Sequence, residues 1–167
     1  MVLDNDGKTA LVVSKYGLDC KKFHHKRTSI SWRDCDLRKW LNGEFLNRAF
    51  SSEERKQIAE SAINTADNLE YGTKGCGETH DKVFCLSIEE VNKYFVSKDA
   101  RKCQPTSYAV EQGAYTFSDG CCSFWLRSPG KYASHAADVN GRGAVNDDGY
   151  DVRIGDDAVR PALRIKL

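Results

Sequence analysis

The last third of the chain restricts the possible folds more than any other part. Residues 132–163 contain no Lys, Glu, Gln, Met or Trp, although Lys and Glu are frequent in the first two thirds. The segment is instead rich in Gly, Asn and Asp, which favour tight turns because they tolerate left-handed backbone or bond to their own backbone. This composition predicts short strands joined by turns.

Two apolar phrases, residues 125–130 and 158–163, enclose this segment. Each contains one Arg among apolar residues, followed by a Pro of the kind that a strand end tolerates. We expect Arg127 and Arg160 to bond to carboxylates or backbone carbonyls and so to stabilise loops. We interpret both phrases as a constant scaffold.

The genetic code offers a second explanation for the restricted alphabet. If both adenines of an Asn codon can become any base, the residue types that cannot be reached are Lys, Glu, Gln, Met and Trp, the types missing from residues 132–163. The run Cys121-Cys122-Ser123-Phe124 also lies within the reachable set. Turn composition alone and adenine-directed diversification therefore both stay open as explanations.

Size and charge narrow the class of protein. A chain of 167 residues is long enough for one domain with a substantial core, and its net charge of +1 gives no basic excess for nucleic-acid binding. No apolar segment is long enough to span a membrane, and the first residues do not resemble a signal peptide. We expect no direct membrane insertion and leave the location open, because display on a cell or phage surface through other segments is compatible with this sequence.

Most of the seven cysteines are predicted to be free thiols. Their number is odd and their spacing contains no pair of C-x-x-C clusters that could form a zinc site. Cys121 and Cys122 are adjacent, so on a strand their side chains would point to opposite faces.

Periodicity predicts an α+β fold. Residues 9–14 read as a strand in an early hairpin after the turn signal Asn5-Asp6-Gly7, and residues 159–167 alternate as its natural partner. Apolar residues from Trp32 to Phe50 recur at helical spacing, with a kink or break expected at Gly43 and a new helix at Ser51.

Further elements are predicted between these segments. Residues 59–80 should form a strand followed by a turn-rich excursion, and residues 81–86 a short strand. Ser87 is predicted to cap a helix over residues 88–95, and Pro105 to open another helix that ends at Gln112.

The histidines and acidic residues are the candidate groups for catalysis and metal binding. Adjacent His24 and His25 should diverge in a solvated loop without an acidic partner. His80 with Asp81, and His135 with Asp138, lack a neighbouring nucleophile. The Asp-rich turns offer calcium-type oxygen ligands, but not at EF-hand spacing. We therefore expect no catalytic residue, no metal and no cofactor.

A family resemblance covers nearly the whole chain. The two scaffold phrases, with residues 37–42, 45–47, 49–51, 81–87 and 112–115, resemble a domain family that recurs in gut bacteria and their phages. Members of that family look like C-type-lectin-fold proteins, and some resemble the variable proteins of diversity-generating retroelements. The resemblance implies paired terminal strands, two main helices and a loop-rich surface that carries the diversified residues.

The chain departs from two relatives of that fold. Gln104-Pro105-Thr106 lacks the carboxylate or amide that sugar-binding C-type lectins carry after this Pro, and only Val145-Asn146-Asp147 resembles their second calcium motif. The paired catalytic cysteines of formylglycine-generating enzymes are not found either.

These observations predict a single α+β domain over residues 1–167 with a C-type-lectin-like fold and a variable segment at about 113–163. We expect a non-enzymatic binding protein, diversified by a retroelement, that recognises a protein or glycan ligand on a cell surface. Two alternatives stay open, a carbohydrate-binding module and an enzyme of the formylglycine-generating type. Phe124 and Tyr150 are predicted as aromatic anchors, and Arg142 and Arg153 as forks for carboxylates. The complete predicted ligand-binding set is Cys121, Cys122, Ser123, Phe124, Ser134, His135, Asp138, Asn140, Arg142, Asn146, Asp147, Asp148, Tyr150, Asp151, Arg153, Asp156 and Asp157.

Overall fold

The computed structural model describes residues 1–167 and has an α+β architecture with two five-stranded sheets and a two-stranded hairpin. The strands are β1 (Val2–Asn5), β2 (Thr9–Val13), β3 (Asp19–Cys20), β4 (Ile58–Ala59), β5 (Ser61–Thr65), β6 (Gly77–Asp81), β7 (Val83–Phe84), β8 (Phe124–Pro129), β9 (His135–Val139), β10 (Val145–Asp151), β11 (Ala158–Val159) and β12 (Ala162–Lys166). The helices are α1 (Asp36–Trp40), α2 (Leu46–Ala49), α3 (Ser52–Gln57), α4 (Ile88–Tyr94), α5 (Lys98–Arg101) and α6 (Ser107–Glu111), with a π-helical turn, Leu41–Phe45, joining α1 to α2.

The first sheet joins the two ends of the sequence. β1 and β2 form the predicted hairpin, and β12 pairs antiparallel with β2, with Leu163 opposite Val12. The other edge of β12 pairs with β4 and β7. The predicted partnership of the terminal strands is confirmed, and β12 lies in the middle of the sheet.

The second sheet takes four strands from the last third of the chain and one, β3, from its beginning, and it runs in the order β10, β9, β8, β11, β3. The two scaffold phrases supply β8, β11 and β12. Trp125 and Leu126 of the first phrase, and Ala158 and Val159 of the second, are fully buried. Short strands joined by turns thus form this region, as its composition predicts.

Both scaffold arginines bond as predicted. Arg127 donates to the carbonyl oxygens of Cys85 at 2.9 Å and Asn64 at 3.0 Å, and it forms an ion pair with Glu90. The Arg127 side chain therefore links β8 to the end of β7, to the β5–β6 hairpin and to α4. Arg160 donates to the carbonyl oxygens of Ser14 and Arg101 at 3.0 Å each. It thereby links the segment between β11 and β12 to the ends of β2 and α5.

At Gly43 the sequence predicts a kink or a break, and the structure has no break there. The helical path continues through Gly43 as the π-helical turn, which inserts one residue and keeps Leu41 and Leu46 facing the core. Asn42 holds this turn in place, because its amide donates to the carbonyl oxygen of Val83 at 2.9 Å and accepts from the N–H of Lys82 at 2.8 Å. The tertiary contacts of Asn42 override the break that its sequence neighbourhood suggests.

The other predicted helix starts are borne out with one correction. Ser87 and Ser51 each form a complete capping box, which opens α4 and α3. Pro105 is not the first residue of α6: it bridges to Gly17, and Thr106 caps the helix by accepting from the N–H of Ala109 at 3.1 Å. Residues 59–80 contain the predicted strand as β5. The turn-rich segment after β5 leads into β6, which pairs antiparallel with β5.

Candidate recognition site

Part of the predicted ligand-binding set lies inside the molecule. Phe124 is 2% exposed, because it begins β8 between Val139 and Ala158, and its ring packs under the Arg160 guanidinium at 5.0 Å. Phe124 is therefore part of the core, and the prediction that it is an exposed anchor is wrong. The other buried members of the set are Cys121, Cys122, Asp138 and Asp157.

The adjacent cysteines are not on a strand, in contrast to the prediction. They precede β8, and both thiols are buried. The Cys122 thiol donates to the carbonyl oxygen of Cys103 at 3.4 Å, and the Cys122 N–H donates to the same oxygen at 2.8 Å. These bonds fix the entry to β8, so Cys122 serves the core. The prediction that most cysteines are free is confirmed, and the structure extends it to all seven.

The rest of the set lies at least partly on the surface. Arg142, Asp148, Tyr150, Arg153 and Asp156 are exposed. The half-buried members are Ser123, Ser134, His135, Asn140, Asn146, Asp147 and Asp151.

Several of these outward polar groups already have partners within the chain. Arg153 donates twice to the carboxylate of Asp151 at 2.9 Å each, and these bonds hold the pKa of Asp151 well below its usual range. Asp148 accepts from the hydroxyl of Tyr71, which raises the pKa of Tyr71 to about 12. Arg153 is thus not an unpaired fork, and these pairs shape the loops around the site.

A pocket of about 210 Å³ contains four members of the predicted set, the outward Ser123, Tyr150 and Asp156 and the buried Asp157. We call it the aromatic–aspartate pocket, and it is lined by Tyr115, Phe117, Ser123, Tyr150, Ile154, Asp156 and Asp157.

Backbone bonds position the walls of this pocket. The N–H of Tyr115 donates to the carbonyl oxygen of Asp156 at 3.0 Å, and the N–H of Phe117 donates to that of Cys121 at 2.8 Å. The rings of Tyr115 and Phe117 meet edge to face with centroids 5.1 Å apart. The loop before β8 and the loop before β11 therefore form one rim, with two aromatic rings already arranged.

A buried carboxyl group lies at the floor. Asp157 is 4% exposed, and its Oδ2 has no hydrogen-bond partner. Burial raises the pKa of Asp157 to about 8, and the nearby Asp138 and Asp156 add to the shift. Leaving a buried polar atom unpaired costs about 1–3 kcal/mol, so the free protein has an unmet demand for a hydrogen-bond partner at Asp157.

Asp138 lies behind this floor with similar electrostatics. Burial raises its pKa to about 7, although Asn146 donates to its Oδ1 at 2.8 Å. The Oδ2 of Asp138 is also buried without a partner. The pKa of Tyr150 is raised as well, first by partial burial and then by the neighbouring aspartates. These raised pKa values keep both buried carboxyl groups at least partly protonated near neutral pH, so a cation bound beside them would favour their ionised form.

Sequence reasoning missed Tyr115, Phe117 and Ile154. The first two alternate in the stretch Gly113-Ala114-Tyr115-Thr116-Phe117, directly before the first scaffold phrase. Two aromatic residues in a glycine-flanked loop, where no core strand is predicted, are the signal that could have identified them.

The histidine–carboxylate combinations do not form acid–base pairs. Asp81 is 1% exposed and pairs with Arg38 at 2.6 Å, whereas His80 lies nearest Glu78. His135 packs edge to face against Tyr132, while Asp138 is interior.

His24 and His25 differ from the predicted solvated loop. His24 is 8% exposed, and both rings converge on Asp36 instead of diverging. The first turn of α1 supplies this carboxylate, which lies too far along the sequence to be recognised as a partner.

Comparison with known proteins adds one finding. The model of a family described as a domain of unknown function (DUF6273) matches residues 7–167. No curated protein and no solved structure matches the chain significantly. No helix is both long and apolar enough to cross a membrane.

Proposed function

We propose that this chain, which belongs to the DUF6273 family, is a non-enzymatic binding domain that uses the aromatic–aspartate pocket to recognise a protein ligand on a cell surface. One observation carries the proposal: the buried Oδ2 of Asp157 has no partner, and Asp157 lines a pocket with aromatic walls. A ligand that donates a hydrogen bond to this oxygen removes an energetic cost already present in the free protein.

The pocket favours a cationic group on an apolar stem. The faces of Tyr115 and Tyr150 can stack against a Lys or Arg side chain, while Asp156 and Asp157 accept its hydrogen bonds. A cation bound beside Asp157 favours the ionised carboxylate, so binding releases a proton. The affinity for such a ligand should therefore rise between pH 6 and pH 9, because the pKa of free Asp157 is about 8.

A carbohydrate ligand is the second candidate. Aromatic rings beside hydrogen-bonding carboxylates are also suited to a sugar, whose apolar face stacks on a ring while its hydroxyls donate to carboxylate oxygens. This mode does not require calcium. A neutral glycan lacks the cation that favours ionised Asp157, so its affinity should not rise in the same way with pH.

The proposed fold is C-type-lectin-like, and the proposed origin is a variable protein diversified by a retroelement. The pairing of β2 with β12 and the loop-rich second sheet support the fold. The restricted alphabet supports the origin. Burial limits the exchangeable positions to the outward members of the predicted set, because Phe124, Asp138 and Asp157 pack inside. A near-copy of the coding segment that differs only at adenines, beside a reverse transcriptase gene, would support this origin, and its absence from the flanking DNA would refute it.

The structure gives little support to an enzyme of the formylglycine-generating type. Such chemistry needs two cysteines in an accessible pocket, whereas Cys121 and Cys122 are 7% and 0% exposed. Neither thiol lines the aromatic–aspartate pocket.

Arrays of cell-surface proteins and of glycans, probed with the biotinylated domain, test the proposal. We expect protein hits that are lost in Tyr150→Ala and Asp156→Ala, since both side chains are exposed in the pocket. The matched control is Arg48→Ala, which removes an exposed side chain outside the pocket lining. Hits that persist in both pocket variants would overturn the site, and glycan hits lost in both would select the second candidate.

A further inference from the structure

A second cluster of polar side chains lies outside the pocket, at the start of α1. Asp36 is the first residue of this helix, and its Oδ2 lies 2.6 Å from Nδ1 of His25 and 3.1 Å from Nδ1 of His24. One donor atom from each of the three residues lies within 4.8 Å of the other two. Two imidazoles and a carboxylate thus converge on one point.

The unpaired ring nitrogen of His24 is a second, independent observation that points to a ligand at this cluster. The residue is 8% exposed, and its Nδ1 is buried without a hydrogen-bond partner. The 3.1 Å approach to Asp36 does not satisfy the nitrogen, because a hydrogen bond also requires alignment of donor and acceptor. A buried imidazole nitrogen that faces a carboxylate without bonding to it is suited to coordinate a cation.

We propose that His24, His25 and Asp36 bind one divalent first-row transition-metal ion, for which Zn²⁺ is the probe. Zn–N and Zn–O bonds of about 2.0–2.2 Å place tetrahedral ligand atoms roughly 3.3 Å apart. The two separations from Asp36 are 2.6 and 3.1 Å, so small side-chain rotations are sufficient. Three protein ligands leave a fourth position for water.

The donor set decides which ions fit. Imidazole nitrogen favours Zn²⁺, Co²⁺, Ni²⁺ and Cu²⁺, whereas Ca²⁺ takes six to eight oxygen ligands. The site is therefore distinct from the calcium site considered for the Asp-rich turns. Ca²⁺ in large excess should not displace Zn²⁺.

The backbone around the ligands is already fixed. The N–H of His24 donates to the carbonyl oxygen of Val152 at 2.9 Å, and the N–H of Leu37 donates to that of Phe23 at 3.1 Å. These bonds hold the His24 segment between the end of β10 and the start of α1. The bound ion would fasten the segment to the helix without moving either backbone.

Zinc titration calorimetry on the tag-free protein tests the proposal. A Cys76→Ser background removes the one thiol that is not buried and so excludes thiolate binding there. We expect one equivalent of Zn²⁺ to bind, with a dissociation constant raised at least tenfold in His25→Ala and in Asp36→Asn. Both side chains are partly exposed, so we expect these variants to fold, which circular dichroism checks.

His80→Ala is the matched control, because Nε2 of His80 lies 3.4 Å from Glu78 in a histidine–carboxylate pair with no third ligand. This variant should bind Zn²⁺ like the parent. Imidazole ¹H–¹⁵N spectra should show zinc-induced shifts at His24 and His25 and none at His80. The proposal is overturned by absence of saturable binding, or by equal binding in His25→Ala, Asp36→Asn and the parent.

Discussion

Phe117 lies directly on the backbone of Gly141. A Cβ added at Gly141 would stand 2.1 Å from Cδ2 of the Phe117 ring, closer than atoms can approach. The turn after β9 therefore serves as the support for one wall of the aromatic–aspartate pocket, and the absence of a side chain at Gly141 sets the position of that ring.

Gly141→Ala should push the Phe117 ring off its support and deform the pocket. We expect a loss of about 1–3 kcal/mol in the free energy of unfolding, as overpacked sites show. Aromatic NMR should also show loss of the contact between Phe117 and Tyr115. An unchanged ring contact would contradict this account.

Gly43→Ala is the opposite case. The added Cβ meets no atom within 4 Å, and Gly43 lies in the helical path. Alanine has the higher helix propensity, so we expect stabilisation by about 0.5–1 kcal/mol in urea unfolding. Destabilisation would mean that the π-helical turn needs the freedom of glycine.

Stability should fall as the pH rises from about 4 to about 8. The pKa of Asp157 is about 8 in the folded chain and 3.8 without burial, so in this range the unfolded state loses a proton that the folded state keeps. The penalty is absent below pH 4 and fully present above pH 8. Asp138 adds a similar slope up to about pH 7.

Asp157→Asn should flatten this slope. We expect the change in unfolding free energy between pH 4 and pH 8 to shrink by at least about 1.4 kcal/mol, the equivalent of one pKa unit. Asp156→Asn, at an exposed neighbouring position, should keep the slope of the parent. Parallel pH profiles for the parent and Asp157→Asn would show that Asp157 titrates normally.

Arg127→Ala should be severely destabilising. The guanidinium is buried, with Glu90 and two carbonyl oxygens as partners that would be left without it. Removing one partner of a buried ion pair costs about 3–5 kcal/mol. Arg153→Ala should cost much less, because exposed ion pairs contribute little to stability. Chemical denaturation compares the two, and similar losses would argue against a special role of Arg127.

Thiol labelling should single out Cys76. The other six cysteines are buried, and burial raises the pKa of Cys85 to about 12, which suppresses the reactive thiolate. A maleimide should label one site quickly in the native protein, and Cys76→Ser should abolish this phase. Fast labelling of a second thiol would indicate local opening, which mass spectrometry could locate.

Local sequence signals predicted the parts of the fold that local chemistry controls. Ser87 and Ser51 announce their helices because a cap and its partner lie three residues apart. The pairing of β2 with β12 could also be predicted, since β2 follows a turn signal and the C-terminal residues alternate between apolar and polar. At Gly43 the local sequence predicts a kink or break. The hydrogen bonds of Asn42 to Val83 and Lys82 instead keep the helical path continuous.

The candidate site was harder to predict, because the amino-acid composition of a segment does not indicate which side chains point outward. Asp156 and Asp157 are neighbours of identical type, yet one is exposed and the other has its carboxyl at the pocket floor. The predicted set therefore combined wall, floor and core residues. The meeting of His24 with Asp36 depends on how the chain folds back, which spacing alone does not reveal.

The position of β12 governs the order of folding. It is the last strand of the sequence and yet it pairs with β2, β4 and β7, so that sheet cannot close until residues 162–166 are available. Before β12 is available, the strands that it pairs with have unpaired backbone edges. Contacts between strands so far apart in the sequence slow folding. Until β12 is added, the edges of β2, β4 and β7 that it covers are open to non-native pairing.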